Sequence, residues 1–439
     1  MTKQKFFILF LQIGIATCGV SVSISQGFLF LALVVFLLDK RWRKIKRTPL
    51  FYAGISIFLF YILSILGNAI LGTELALAKG FSKASELKDF LIFSAFIVMQ
   101  GLDEEEEKKV LKAFYILIGI LIVTGFISIF SITRLSVLIS ELYKTVTTYR
   151  LAHHHGNIFG IGIYLPIGLM NTHLTFGGLL LFFFPFLFFR VVGSFRRKGN
   201  YKERVFNALV LSIYMIVFLL NNARSAMIGA AIGSIFGLYD YLFVKEGIPL
   251  QRFKKAFLIL GGFLLVSVTV LWNVDATKRN LQHLFGNEKH TDSGRSFIWN
   301  STFPLIENNP VLGIGPGRYN IEIEKSRKEL SIKNPETVYF YEVTQRGHAH
   351  NDYFHLFAIA GVGAPISYLA LLFFIVSFIS GKLKSKTYSP LFYGLIGFFI
   401  SSTYQCYFQD DEVVIVFWYL VGFLNHLAMK EESLKLKET

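Results

Sequence analysis

Gly347-His348-Ala349-His350-Asn351-Asp352-Tyr353 leads directly into an apolar run that continues to about residue 380. The run has the length and composition of a membrane-spanning helix. Titratable side chains therefore stand at the mouth of a predicted span. Ionisable groups in such a place are costly unless they are paired or hydrated, which makes them candidates for a functional site.

Similar apolar runs recur along the whole chain. Its 439 residues are 53% hydrophobic and only 17% charged, and the mean hydropathy is +0.52, whereas about 25% of the residues of a soluble domain are charged. Barrel strands would alternate in polarity over about 10 residues, and no such alternation is present. The sequence predicts an all-α polytopic membrane protein, a single transmembrane domain over 1–439. We expect about twelve spans, over residues 6–22, 25–38, 50–70, 87–101, 110–132, 174–190, 205–222, 225–243, 256–272, 352–380, 391–408 and 412–428.

The positive charge predicts the orientation of these spans. Short loops such as 39–49 and 190–204 are rich in Lys and Arg, and such loops remain on the cytoplasmic side. Both termini are then cytoplasmic, and residues 273–351 form one large outer loop. Helix-like patches over 297–306 and 319–330 predict that this loop is ordered and contains short helices. The net charge of +15 is explained by membrane orientation, so we expect membrane lipids and no nucleic acid as partners.

Several patterns speak against cofactor or metal chemistry. The two cysteines, Cys18 and Cys406, have no metal-ligand spacing, and consecutive histidines at 153–155 cannot all face one ion. The glycine-rich segment 313–317 contains Pro316 and lacks a βαβ context, which indicates a turn and not a nucleotide site. We expect no cofactor and no metal.

Arg224 lies in Asn221-Asn222-Ala223-Arg224-Ser225, where one apolar run ends and the next begins on the predicted outer side. A guanidinium keeps its charge and suits phosphate bidentately, so Arg224 is a candidate for binding a lipid diphosphate. The alternative is an arginine that extends to the lipid headgroups.

Arg295 lies in the large loop. If Asp292 or Ser293 caps a helix there, Arg295 is in its first turn, where free N–H groups favour anions. On composition alone an exposed loop charge explains Arg295 better.

His350 is the leading candidate for a general base, because histidine titrates near neutral pH. Asn351 beside it is positioned to orient a sugar or the ring. The local chemistry does not distinguish His350 from His348. It also leaves open whether His355, Asp352 or His173 shares the proton transfer.

Taken together, four places resemble the superfamily of O-antigen ligases and O-antigen polymerases, bacterial membrane glycosyltransferases that use undecaprenyl-diphosphate-linked glycans. The residues that carry the resemblance are Asn222-Ala223-Arg224-Ser225-Ala226, Ser293-Gly294-Arg295 with Trp299, the turn 309–315, and His350-Asn351 followed by Gly361. Residues 171–178, which include His173, resemble a further recurrent element. The similarity is concentrated in roughly residues 150–380.

The resemblance implies a metal-independent, inverting transfer in the bacterial inner membrane, with the active site facing the periplasm. It implies that Arg224 and Arg295 bind the donor diphosphate and that His350 is the essential histidine. The acceptor would be lipid A-core for a ligase, or another lipid-linked glycan for a polymerase. A ligase signature has Gly, Thr or Tyr at the position that is Ala364 in this chain. This difference makes a ligase less favoured relative to a polymerase. A secondary transporter with twelve helices is the alternative from another class, although such sites lie near the midplane of the membrane between repeated halves.

Overall fold

The computed structural model describes residues 3–71, 89–137, 151–158, 160–196, 201–240, 294–380, 382–383 and 388–438. Within these ranges the chain is predominantly helical, as predicted. The helices are α1 (Lys3–Thr17), α2 (Val22–Leu38), α3 (Pro49–Ile70), α4 (Asp89–Val98), α5 (Glu104–Ile129), α6 (His173–Arg196), α7 (Tyr201–Asn221), α8 (Arg224–Tyr239), α9 (Arg295–Asn308), α10 (Tyr319–Lys333), α11 (Val338–Val343), α12 (Asp352–Ala360), α13 (Gly363–Phe374), α14 (Ser389–Ser401) and α15 (Asp411–Glu438). Short 3-10 turns cover Arg41–Lys44 and Pro335–Thr337, and a π-helical turn covers Ile375–Ser380.

Five helices of the described residues are long and apolar enough to cross a membrane: Pro49–Ile70, Glu104–Ile129, His173–Phe195, Tyr201–Asn221 and Asp411–Leu434. Shorter apolar helices cover Val22–Leu38, Asp89–Val98, Gly363–Ile379 and Ser389–Ser401. The predicted span 256–272 lies outside the described residues. The chain is thus a multi-pass helical membrane protein, while the number of twelve spans and their orientation stay predictions.

Two of the predicted spans have the wrong bounds. The run 352–380 is not one helix, because α12 ends at Ala360 and α13 begins at Gly363. Gly361 between them has a φ of +70°, a conformation that interrupts a right-handed helix. The predicted span 391–408 ends early, at Ser401, and the residues that follow form a connection that contributes to the candidate site.

A β-hairpin departs from the all-α prediction. Strand β1 (His154–Ile158) pairs antiparallel with β2 (Ile161–Tyr164). Gly160 in the turn has a φ of +81°, which suits the tight connection of a two-stranded ribbon. The hairpin lies in the polar segment between α5 and α6.

The contacts divide the chain into two compact units. The first comprises residues 1–39, 102–287 and 385–400. Within it, glycines spaced by four residues on α8 face α14: a Cβ on Gly233 would lie 2.3 Å from the carbonyl oxygen of Tyr393, and one on Gly397 would lie 2.6 Å from that of Gly229. Small residues at such spacing allow helices in a membrane to pack at backbone distance.

The second unit comprises residues 40–101, 288–384 and 401–439. Helix α4 packs on α15 through rings, with the Phe93 and Trp418 centroids 4.7 Å apart. Just after α4, Gln100 Oε1 accepts from Asn425 Nδ2 of α15 at 3.1 Å. Helix α3 packs on α13 and supports the loop region: Ser64 Oγ donates to the carbonyl of Ile359 at 3.0 Å, and Asn68 Nδ2 donates to that of Gly313 at 3.1 Å. These bonds position the elements around His350.

Candidate functional site

The backbone at His350 bends sharply before α12 begins. His350 has a φ of +49°, a left-handed conformation that is uncommon for residues other than glycine and that concentrates at functional sites. The next residue, Asn351, is the N-cap of α12, and its side-chain oxygen accepts from the N–H of Phe354 at 3.0 Å. His350 therefore lies just outside α12, and the cap residue Asn351 connects it to the first turn of that helix.

The His350 ring is held by Gln405. Its Nδ1 lies 2.6 Å from Gln405 Oε1. An amide oxygen only accepts hydrogen bonds, so Nδ1 carries the proton and Nε2 presents a lone pair. Among the described residues no hydrogen bond reaches Nε2.

Burial, together with the positive charge of Arg295, lowers the pKa of His350 below its usual value, against the opposing effect of the Gln405 bond. The ring is therefore neutral at pH 7, as a general base must be.

His348 has a different role from His350 in this geometry. The two rings pack edge to face with centroids 4.5 Å apart. His348 Nδ1 accepts the backbone N–H of His350 at 3.3 Å and lies 3.4 Å from Gln345 Nε2, so its lone pair is occupied inside the loop. Burial, followed by the charges of His350 and His355, lowers the pKa of His348 well below its usual value. His355 is buried and packs against the ring of Tyr319. These contacts distinguish His348 and His355 from His350, whose role as the base stays a prediction.

Arg295 and Trp299 lie one turn apart on α9 and both contact the loops of the site. Arg295 Nε donates to the carbonyl of Tyr404 at 3.1 Å, next to the residue that holds His350. Trp299 Nε1 donates to the carbonyl of Ala349 at 3.0 Å. Arg295 lies in the first turn of its helix, as predicted, and the N-cap is Gly294 with a φ of +75°. The predicted caps Asp292 and Ser293 lie outside the described residues. The structure thus places Arg295 against the connection that holds the His350 ring, while a shared role in one site stays a prediction.

Asn351 and Asp352 tie the start of α12 to the connection 402–410. Asn351 Nδ2 donates to the carbonyl of Thr403 at 3.0 Å. The Asp352 carboxylate is fully buried and accepts the N–H of Phe408 at 3.0 and 3.1 Å. These contacts are those of residues that position the site, whereas a role in proton transfer or sugar binding stays a prediction.

The glycine-rich segment forms the predicted turn and closes the other end of α12. The N–H groups of Ile314 and Gly315 donate to the carbonyls of Ala358 and Ile359 at 2.8 and 3.0 Å. Carbonyls at a helix end need such partners. Gly361 lies so close to the turn that a Cβ there would be 1.9 Å from the carbonyl oxygen of Val311.

Arg327 is a buried cation that sequence analysis missed. Its guanidinium donates to the carbonyls of Gln345, Tyr341 and Thr344 at 2.7, 3.0 and 3.0 Å, and it lies over the Phe297 ring at 5.3 Å. It thereby fixes the segment that precedes the histidine loop. On α10 it follows a polar pattern typical of a solvated helix, so no sequence signal distinguishes it from its exposed neighbours.

Arg224 and His173 belong to the first unit. Arg224 is the first residue of α8, after Asn222 with a φ of +59°, and the N-cap residue Ala223 offers no side-chain bond. His173 begins α6, and its carbonyl accepts from Asn221 Nδ2 at 3.0 Å. A Cβ on Gly177 of α6 would lie 2.3 Å from the Cβ of Ala223. The structure therefore brings the starts of α6 and α8, which carry His173 and Arg224, close together.

The histidines at 153–155 do not converge. His154 is exposed on β1, whereas His155 is buried and its Nε2 lies 3.0 Å from the carbonyl of Leu220. Within the described residues no group of three or more His, Cys, Asp or Glu side chains is arranged to hold a metal ion.

Gln405 is the principal site residue that sequence analysis missed. It lies inside the predicted span 391–408, and a glutamine within an apolar run was the one available signal, because buried polar groups need partners. Its partner, His350, is 55 residues away in the chain, a distance that no local pattern bridges.

Comparison with known proteins adds the family. Residues 207–369 match the model of the O-antigen ligase family, and this segment includes Arg224, Arg295, the glycine-rich turn and His350. No curated protein matches the sequence. Together with the apolar helices, the match supports membership of this multi-pass membrane protein in the O-antigen ligase superfamily.

Proposed function

We propose that this protein is an O-antigen ligase that transfers a polysaccharide from undecaprenyl diphosphate to lipid A-core. The observation that carries the proposal is the His350 imidazole, whose Nδ1 is bonded to Gln405 and whose Nε2 is left to receive a proton. Arg295 adds a positive charge that acts on the same ring. Membership of the family supports lipid-linked glycans as the substrates in general.

The proposed reaction is one displacement at the anomeric carbon. His350 Nε2 takes the proton of the acceptor hydroxyl as the oxygen forms its bond to the anomeric carbon. The bond from that carbon to the diphosphate oxygen breaks, and undecaprenyl diphosphate leaves with the electron pair. Attack from the side opposite the leaving group inverts the anomeric centre.

In this proposal the two arginines stabilise the leaving group. A departing diphosphate develops negative charge, and positive groups already in place stabilise it in the transition state. Arg295 would bind the diphosphate from the first turn of α9. Arg224 would bind it from the first turn of α8, where helix N–H groups also favour an anion. Two guanidinium groups meet this electrostatic requirement, so we propose a transfer that is independent of metal.

A site at the membrane surface suits these substrates. The polyprenyl tail stays in lipid while the glycan and its acceptor remain in water. We propose that the protein resides in the bacterial inner membrane with its active site facing the periplasm. A polymerase of the same family is the second candidate, and Ala364 at the end of the ligase signature is the observation that favours it. The transporter alternative gains no support from the family match.

A strain that lacks the gene tests the proposal. Lipopolysaccharide would be resolved on a gel, and the glycan attached to undecaprenyl diphosphate would be assayed in parallel. We expect bare core together with long polymer that remains on undecaprenyl diphosphate. Core with a single repeat unit would indicate the polymerase, and an unchanged profile would refute both.

A further inference from the structure

Gln405 makes the shortest hydrogen bond to the His350 ring. The side chain of Gln405 is 4% exposed, and its Oε1 is 2.6 Å from His350 Nδ1. A neutral imidazole carries a proton on one of its two nitrogens, and the hydrogen bonds that the ring makes decide which nitrogen that is. With the amide oxygen at Nδ1, the lone pair is at Nε2.

The connection that contains Gln405 is fixed against the start of α12 by three further bonds. Asp352 N–H donates to the carbonyl of Ser402 at 2.9 Å, Asn351 Nδ2 donates to that of Thr403 at 3.0 Å, and the N–H of Asn351 lies 3.2 Å from Cys406 Sγ. These bonds bracket Gln405 on both sides. The amide therefore meets the ring from a rigid position.

We propose that Gln405 is a positioning residue, which keeps the proton of His350 on Nδ1 and directs Nε2 toward the acceptor hydroxyl. The inference rests on the proposed function, in which His350 is the base. It assigns the selection of the tautomer to a residue outside the segment matched by the family, residues 207–369.

The other groups around the ring do not select the tautomer. Arg295 acts on it through charge, and the His348 ring packs edge to face against it. Cys406 interacts with the backbone N–H of His350 and not with the ring. Of these groups, the Gln405 amide is the one with a short bond to a ring nitrogen.

Two substitutions separate positioning from packing. Gln405→Leu keeps the approximate size but offers no acceptor, so we expect kcat to fall at least about 100-fold, the lower range of a general-base contribution, with KM little changed. Gln405→Glu keeps an oxygen at Nδ1 and should retain much more activity than Gln405→Leu. Its carboxylate also favours the charged imidazolium, so the pKa of His350 should rise.

The matched control is Gln409→Leu, on the same connection. Gln409 Nε2 donates to Tyr61 Oη at 3.3 Å and makes no contact with His350 among the described residues. We expect this variant to keep the wild-type kcat and pH profile. Thermal midpoints of all variants in detergent would establish that each is folded.

A second readout follows the ring without turnover. Diethyl pyrocarbonate modifies neutral imidazoles, and mass spectrometry of the peptide that contains His350 reports the extent against pH. We expect a wild-type midpoint below 6.5 and a higher midpoint in Gln405→Glu. A folded Gln405→Leu with more than half of the wild-type kcat, or an unchanged midpoint in Gln405→Glu, would refute the inference. Full activity of His350→Ala would instead refute the proposed function, whatever the modification profile shows.

Discussion

The residues around His350 combine backbone strain with a dense set of hydrogen bonds. A left-handed φ at a non-glycine residue costs about 1–3 kcal/mol, and it persists where the surroundings determine it. Here the N–H of His350 donates to His348, its ring contacts Gln405, and the next two residues anchor α12. Such a ring is held in one orientation before the substrate arrives.

The first prediction concerns the three candidate residues that the sequence identified. We expect His350→Ala, Arg295→Ala and Arg224→Ala each to abolish transfer while the protein still inserts in the membrane, because each removes the base or one charge on the diphosphate. The measurement is the lipopolysaccharide profile of complemented strains, with protein levels by immunoblot. Arg→Lys variants serve as controls that keep the charge and lose the bidentate fork; they should show intermediate activity. Full activity in any alanine variant would remove that residue from the site.

The second prediction concerns pH. The pKa of His350 lies below its usual value of 6.5, so the base stays neutral from pH 7 down to that lowered pKa and is lost as the pH falls through it. The acid limb of kcat/KM should therefore lie below pH 6.5. Arg295→Gln removes a positive charge that disfavours the imidazolium. The pH midpoint for modification of His350 by diethyl pyrocarbonate, a readout that needs no turnover, should therefore move to higher pH in this variant.

Arg346→Gln is the matched control for this shift. Arg346 pairs with Glu324 and is not one of the groups that act on the pKa of His350. Its modification midpoint and its acid limb should both stay where those of the wild type lie. An acid limb above pH 6.5 in the wild type would contradict the assignment of His350 as a neutral base.

The third prediction separates His348 from the base. Its Nδ1 accepts the N–H of His350, and the side-chain oxygen of asparagine reaches a similar place. We therefore expect His348→Asn to retain substantial transfer activity and His348→Ala to lose most of it through the altered loop. Equal loss in both variants, with folded protein, would indicate that His348 itself takes part in the chemistry. Transfer measured with purified protein in detergent gives the comparison.

At the scale of elements, the site depends on the two ends of a short helix. Helix α12 has nine residues, which is too short to be stable through its own hydrogen bonds. Asn351 caps its start, and the N–H groups of the glycine-rich turn donate to its last carbonyls at the other end. The turn and the cap therefore stabilise α12, and a stable α12 keeps His350 in position at its start.

The fourth prediction tests this arrangement with alanine at two glycines. Gly361→Ala meets both a φ of +70° and the carbonyl of Val311, whereas Gly315→Ala meets a φ of +96° with no atom closer than 3.5 Å. Backbone strain alone costs about 1–3 kcal/mol, so Gly315→Ala should lower the thermal midpoint modestly. Gly361→Ala should lower it much further and reduce transfer activity. A similar midpoint for both variants would show that the turn does not clamp α12.

For the whole molecule, hydrophobic periodicity predicted the class and most helices, because runs of apolar residues report burial in lipid directly. Helix-like patches also predicted α9 and α10 inside the large loop 273–351. Hydropathy did not predict the break between α12 and α13. The residues on both sides of Gly361 are apolar, and it is the backbone conformation of this glycine that ends the helix. Hydropathy also could not find Gln405 or Arg327, whose roles depend on partners distant in the chain.

The last prediction concerns the orientation of the whole chain in the membrane. Both native cysteines, Cys18 and Cys406, are buried, so single cysteines introduced at exposed positions can be labelled against a low background. Lys325 on α10 has a side chain that is 72% exposed, and Arg43 in the basic loop 39–49 is also exposed. The positive-inside rule places the first outside and the second inside. A membrane-impermeant maleimide applied to intact cells should therefore label Lys325→Cys, and it should label Arg43→Cys only after the inner membrane is permeabilised. The reverse pattern would put the His350 loop on the cytoplasmic side, where a periplasmic glycan transfer is impossible.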